Sequence, residues 1–280
     1  MNFYPPPPII KAEVYLRIPD GKRCIGQESE WRGGFARSFQ HIFLEGPVFD
    51  NHGNLYVVDV PYGRILRIDN KKNVTVACTW DGEPNGLVGT VDGGPNDLIV
   101  DSKQNLYFTD QGQTGMTDPT GRVYRLSPDG KLDTLLDNGP SPNGLVLSLD
   151  ERFLYVAMTR ANQVWRLPLH QDGTTSKVGV FFQSFGNVGP DGLALDVEDN
   201  LFICHPSLGS IFVVDTHGIP KARIVSGSPG INLTNCCFGG PEHKTLYITD
   251  SLEGNIQTVE WHCRGAVPAP SLKKAKEEEA

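Results

Sequence analysis

Asn54-Leu-Tyr-Val-Val-Asp59, Asn105-Leu-Tyr-Phe-Thr-Asp110, Phe153-Leu-Tyr-Val-Ala-Met158, Asn200-Leu-Phe-Ile-Cys-His205 and Thr245-Leu-Tyr-Ile-Thr-Asp250 are five versions of one phrase. Each is a short apolar run with leucine in second place. The shared leucines, Leu55, Leu106, Leu154, Leu201 and Leu246, follow one another at intervals of 51, 48, 47 and 45 residues. A period of that size matches one four-stranded propeller blade.

The flanks of each phrase support the same reading. A second strand signal comes after it, as in Gly63-Arg-Ile-Leu-Arg-Ile68 and Gly121-Arg-Val-Tyr-Arg-Leu126. An apolar run comes before it, as in Gly144-Leu-Val-Leu and Gly192-Leu-Ala-Leu. Turn formers such as Asp50-Asn-His-Gly53 and Asp196-Val-Glu-Asp-Asn200 separate the runs. This is a meander, and its even spacing favours radial repetition over a sandwich of hairpins.

The expected fold is therefore an all-β propeller with five recognisable blade repeats. Glu13-Val-Tyr-Leu-Arg-Ile18 alternates polar and apolar residues and is expected to supply the outer strand of the last blade. The chain divides into an N-terminal segment with this ring-closing strand (1–44), the propeller (45–262) and a C-terminal tail (263–280). The charged stretch Lys273 to Glu279 leads us to expect a disordered tail.

Bulk properties exclude several functions. The net charge is -8 over 280 residues and no basic stripe occurs, which argues against nucleic acid. No apolar run reaches the 18 residues or so that a membrane span needs. The start, with Pro5 to Pro8, does not read as a secretory leader. Six cysteines without a Cys-x-x-Cys pair read as free thiols in a reducing compartment, so a cytoplasmic protein is expected. Neither a Gly-x-Ser-x-Gly elbow, a phosphate-binding glycine loop nor a His-Glu-x-x-His helix is present.

The chemistry lies where the inner strands begin. Glu45, Asn96, Asn143, Asp191 and Asn235 open them, and each is an acid or an amide. Radial symmetry points these side chains at one another near the axis. Two carboxylates and several amide oxygens at one point suit a hard divalent cation such as Ca2+, Mg2+ or Mn2+, while carboxylates also admit Zn2+. The second strand of each blade returns to the same mouth, bringing Asp59, Asp110, His205 and Asp250 with it, followed by Gln111. Asp110, Gln111 and His205 are therefore candidate substrate contacts.

Glu45-Gly-Pro-Val-Phe, Gly94-Pro-Asn-Asp97, Tyr107-Phe-Thr-Asp110, Ser141-Pro-Asn-Gly-Leu145, Gly189-Pro-Asp-Gly-Leu-Ala194 and Phe238-Gly-Gly-Pro occur in order. In combination they resemble the SMP-30/gluconolactonase/LRE-like family, also called regucalcin-like, over roughly Glu45 to Trp261. The resemblance implies a six-bladed propeller that hydrolyses a lactone with one bound divalent metal, Ca2+ first among the options. It implies Glu45, Asn143 and Asp191 as metal ligands, Asp191 also as general base, and Asn96 beside them toward metal or substrate. A small lactone is the implied partner, and the implied class is carboxylic ester hydrolase.

One departure stands out. The family pattern has two blades between the first Glu and the Pro-Asn-Asp motif, but Glu45 and Asn96 are only 51 residues apart. The run Glu83 to Asn96 reads as the start of a missing blade joined directly to the next. The alternative reading is thus a non-catalytic calcium- or ligand-binding propeller that has lost activity with that blade.

Overall fold

The computed structural model describes residues 5–29, 41–79 and 95–267. Two strands precede the first repeat, β1 (Ile9–Lys11) and β2 (Glu13–Arg17). Blade 1 is β3 (Leu44–Phe49), β4 (Leu55–Asp59), β5 (Arg64–Ile68) and β6 (Val74–Thr79). Blade 2 is β7 (Pro95–Val100), β8 (Leu106–Asp110), β9 (Gly121–Leu126) and β10 (Leu132–Gly139). Blade 3 is β11 (Pro142–Leu147), β12 (Phe153–Met158), β13 (Gln163–Pro168) and β14 (Gly179–Gln183). Blade 4 is β15 (Leu193–Leu195), β16 (Leu201–His205), β17 (Ser210–Val214) and β18 (Pro220–Val225). Blade 5 is β19 (Leu233–Gly239), β20 (Thr245–Asp250) and β21 (Asn255–Glu260).

The fourth strand of blade 5 is β2, antiparallel to β21 with Glu13 opposite Thr258. This is the closure the alternating pattern predicts. Strand β1 was not anticipated. It adds to the outer edge of blade 4, parallel to β18 with Ile9 opposite Arg223. The N-terminal segment therefore ties two neighbouring blades together.

The five phrases are the second strands, β4, β8, β12, β16 and β20. Their leucines lie in the apolar layers between blades: Leu55, Leu154, Leu201 and Leu246 are all buried. Asx turns join first strand to second. Asp50, Asp101 and Asp196 each accept the backbone N–H and the side-chain amide of the Asn four residues on, at 2.7–2.9 Å. Such turns satisfy backbone groups that no ladder reaches.

Inner strands of neighbouring blades pack side by side in the order β7, β11, β15, β19, β3. Hydroxyls stitch them together. Thr109 Oγ1 donates to the Asn143 carbonyl at 2.8 Å, Thr159 Oγ1 to the Pro190 carbonyl at 2.7 Å and Ser251 Oγ to the Leu44 carbonyl at 2.6 Å. Strands β3 and β7, on either side of residues 80–94, do not share this packing. Most of the run read as a missing blade, 83–94, lies outside the described residues, as does the charged stretch 273–279.

Residues 263–267 correct the expected tail boundary. Cys263 packs against the core between blades 4 and 5. Val197 N donates to the Arg264 carbonyl at 2.9 Å and Ala266 N to the Leu195 carbonyl at 2.8 Å. Backbone hydrogen bonds to 195–197 and the packing of Cys263 order this stretch, which composition alone did not show.

Candidate active site

A bulge interrupts the ladder at the start of most inner strands. Register shifts fall between Glu45 and Val48, Pro95 and Leu98, Pro142 and Leu145, and Leu233 and Asn235. A bulge re-aims the side chain at the break. Here the re-aimed residues include Glu45, Asn96 and Asn143. In blade 4 the pairing narrows instead: Asp191 N donates to the Cys204 carbonyl at 2.9 Å and Cys204 N to the Gly192 carbonyl at 3.0 Å.

Pairing with the second strand sets the true equivalences between blades. Leu98 lies opposite Phe108, Leu145 opposite Val156, Leu193 opposite Ile203 and Cys236 opposite Ile248. Counting back, Glu45, Asn96, Asn143, Asp191 and Thr234 share one level. Gly46, Asp97, Gly144, Gly192 and Asn235 share the next. Asn235 was read one position out, because the Thr-Asn-Cys segment lacks the Pro-Asn-Gly punctuation that aligns the other blades.

The second level explains the glycines. A Cβ on Gly144 would lie 2.3 Å from the Asp191 carbonyl oxygen. One on Gly192 would lie 2.4 Å from Asn235 Oδ1. Each glycine lets the next blade close in. Where the blades leave room, Asp97 and Asn235 project in equivalent poses. Asp97 N donates to Thr109 Oγ1 at 3.2 Å and Asn235 N to Thr249 Oγ1 at 3.1 Å. Their Oδ1 atoms accept Leu98 N and Cys236 N, both at 2.8 Å.

Contacts at the axis join the blades. Asn143 lies near enough to Asp191 to favour its ionised form. Asn235 Nδ2 donates to Glu45 Oε2 at 3.5 Å, and the Thr234 hydroxyl nearby favours the ionised form of Glu45. Asp97 Oδ2 accepts Leu145 N of blade 3 at 3.2 Å. Asn96 Nδ2 donates to Gln111 Oε1 at 3.0 Å, and Gln111 Nε2 donates to Ser141 Oγ at 2.7 Å. Ser141 is buried with φ 65, an uncommon conformation for a non-glycine residue. The structure thus brings Glu45, Asn143 and Asp191 to one place, with Asn96 and Gln111 alongside.

The electrostatics of this cluster are unusual. Glu45, Asn96, Asn143 and Asp191 are 5%, 5%, 9% and 9% exposed. Burial, reinforced by the charge of Asp97 and opposed by Asn143, pushes Asp191 up to about 8. Burial also pushes Asp97 up to about 6, against the bonds from Leu98 and Leu145. Glu45 is raised well above the carboxylate range, by burial first and then by Asp191. Among the described residues, the groups acting on these three acids are other acids, amides, a hydroxyl and backbone N–H, with no Lys, Arg or His.

Acids that repel one another in a buried place, with amide and hydroxyl oxygens between them, fit a hard cation. Glu45 and Asp191 would hold it, with Asn143 as the amide donor. Asp97 escaped the sequence reading, although a signal was available. It is the one acid at a level where Gly46, Gly144 and Gly192 stand in other blades.

Other candidates sit elsewhere. His205 is fully buried; its Nε2 meets Ser184 Oγ at 3.1 Å and its ring stands edge-on to Phe212 at 5.9 Å. Burial pushes it down to about 4, so it is neutral near pH 7. Asp110 is half-buried, opposite Pro95 and Arg122 in its sheet. Asp59 is fully buried in an ion pair with Arg64 at 2.7 Å. Asp250 is fully buried and accepts Ser228 Oγ at 2.7 Å. After Asp59 and His205 a one-turn 3-10 helix folds over the strand end, Val60–Tyr62 and Pro206–Leu208. The His205 side chain reaches Ser184, just past the last strand of blade 3, while Asp59 stays at blade 1, accepting from Phe43 N and Arg64.

Family membership agrees with this architecture. The model of the SMP-30/Gluconolactonase/LRE-like region matches residues 90–251, and the chain belongs to that family. It is 30% identical to a protein named lactonase drp35 of Staphylococcus haemolyticus (strain JCSC1435), a match spanning 81% of this chain and 86% of that one. In fold it is similar to a calcium-binding protein, regucalcin, from Agrobacterium tumefaciens, with TM-score 0.71 at 20% identity, covering 93% of this chain and 98% of the other. A luciferin-regenerating enzyme superposes with TM-score 0.70 at 19% identity, covering 81% and 94%. At such identities the two structures speak for the fold alone. No helix among the described residues is long and apolar enough to cross a membrane.

Proposed function

We propose that this protein hydrolyses a small lactone, using one divalent cation held by Glu45, Asn143 and Asp191, with Ca2+ the best fit to an all-oxygen donor set. The observation that carries the proposal is the set of mutually repelling buried acids at the axis, with no basic partner among the described residues. The relative named as a lactonase supports the reaction class.

A divalent cation supplies Lewis-acid polarisation of an ester carbonyl and acidifies water. The chain's own residues do the rest. Asp191 takes the proton of the attacking water as general base. The water oxygen bonds to the carbonyl carbon, the ring C–O bond breaks, and Asp191 returns the proton to the leaving oxygen to give a hydroxy acid. Asn96, held by Gln111 and Ser141, orients the lactone by hydrogen bonds. Asp97 fixes the blade 2–blade 3 seam through Leu145 and keeps Asn143 in place. The six free cysteines accord with a cytoplasmic setting.

The test is a panel of sugar and aliphatic lactones assayed with and without chelator. At least one should be opened, the rate should fall to background with chelator, and a divalent ion should restore it. Hydrolysis indifferent to chelator would refute the metal role. Calcium-dependent thermal stabilisation with no turnover on any lactone would establish the non-catalytic alternative, which the short span between Glu45 and Asn96 favours.

A further inference from the structure

On the face of the propeller opposite the axial acids, three ligand-type side chains from two blades converge. Glu198 lies in the turn between β15 and β16. His262 and Cys263 follow β21. A carboxylate oxygen of Glu198, a ring nitrogen of His262 and the Cys263 sulfur all lie within 4.8 Å of one another. His262 Nε2 already meets Glu198 Oε2 at 3.2 Å.

Their surroundings pre-position them. Asp196 is fully buried; its Oδ1 accepts Glu198 N at 2.9 Å and its Oδ2 accepts Trp261 Nε1 at 2.9 Å. One carboxylate thus anchors both the turn that carries Glu198 and the residue before His262. The backbone bridge between Asp196 and Gly265 holds the two segments in register. The His262 ring leans on Trp261, with centroids 4.8 Å apart.

We propose that Glu198, His262 and Cys263 form a second metal site, selective for Zn2+ or a similar borderline ion, that clasps blades 4 and 5. One oxygen, one nitrogen and one sulfur are three of the four ligands a tetrahedral zinc takes, which leaves one position for water. A thiolate excludes Ca2+ and Mg2+ by softness, so this site and the all-oxygen axial site sort different ions. Glu198 and the thiolate balance the charge of the ion. The thiol proton passes to solvent as the sulfur–metal bond forms. Glu198 and His262 are exposed, so an ion has open access.

Cobalt is the probe. Chelator-stripped full-length protein titrated with Co2+ should develop a near-ultraviolet thiolate-to-metal band at one equivalent. Zn2+ should abolish the band and excess Ca2+ should leave it intact. Cys263→Ser should lack it, and Glu198→Gln should weaken Co2+ binding at least about tenfold. Both substitutions are at the surface or partly so, and circular dichroism checks that the fold is unchanged. No band in the wild-type protein, or a band undiminished in Cys263→Ser, would overturn the proposal. The exposed Cys78 would then be the next thiol to replace.

Discussion

Replacing Asp191 with asparagine is expected to lower kcat for lactone opening by about 10²–10⁴-fold, the usual contribution of a positioned general base. The blades should stay folded, because asparagine keeps the shape and the neighbouring Asn143 contact. Stability should respond in the opposite sense to activity. Burial and Asp97 hold the Asp191 carboxyl at about 8 in the folded chain, against an ordinary 3.8. Between those values the folded state binds more protons than the unfolded one, so this group makes stability fall as pH rises. Asp191→Asn removes that contribution. In chelator, wild-type Tm should therefore drop more steeply from pH 4 toward 8 than the variant's. Thermal melts across that range and a lactone assay check both halves. A variant with full turnover would remove Asp191 from the mechanism.

The second large effect concerns a glycine that touches no substrate. Gly192→Ala places a methyl 2.4 Å from Asn235 Cγ and Oδ1 and 2.8 Å from Asn235 Cα. The last of these is backbone and cannot swing away. Overpacking of this kind costs about 3 kcal/mol, equivalent to a Tm loss of roughly 6–12 °C in a domain of this size. Activity should fall with it, since Gly192 adjoins Asp191 and Asn235 bonds Glu45. Gly179→Ala is the control. It lies in β14 with open space around its Cβ direction and an ordinary φ, so its Tm should move by less than about 2 °C. A Gly192→Ala loss as small as the control's would show that the axial seam has slack.

Much of this architecture could be read from the sequence because radial repetition writes each blade's core in the same words. Leu55, Leu106, Leu154, Leu201 and Leu246 mark the second strands, and Glu13 to Arg17 pairs with β21 as its alternation predicts. Glu45, Asn96, Asn143 and Asp191 were legible because Gly-Pro or Pro-Asx punctuation marks their level. Asn235 lies one residue off because a bulge shifts its register and no proline marks it. Asp97 carried a weaker mark, as the one acid where Gly46, Gly144 and Gly192 stand in other blades; that the glycine level also faces the axis depends on how closely adjacent blades approach, a three-dimensional quantity. His205 was expected at the mouth, but the 3-10 turn after it directs the imidazole toward Ser184 and Phe212. The seam that orders residues 263–266 depends on backbone hydrogen bonds to 195–197, which no side-chain pattern encodes.

The measurement that bears most directly on the axial cation is anomalous diffraction from crystals soaked with Mn2+ after chelation. One peak should stand on the propeller axis within coordination distance of Glu45, Asn143 and Asp191. With the protein saturated, no density there, or those three side chains too far apart to share an ion, would contradict the account.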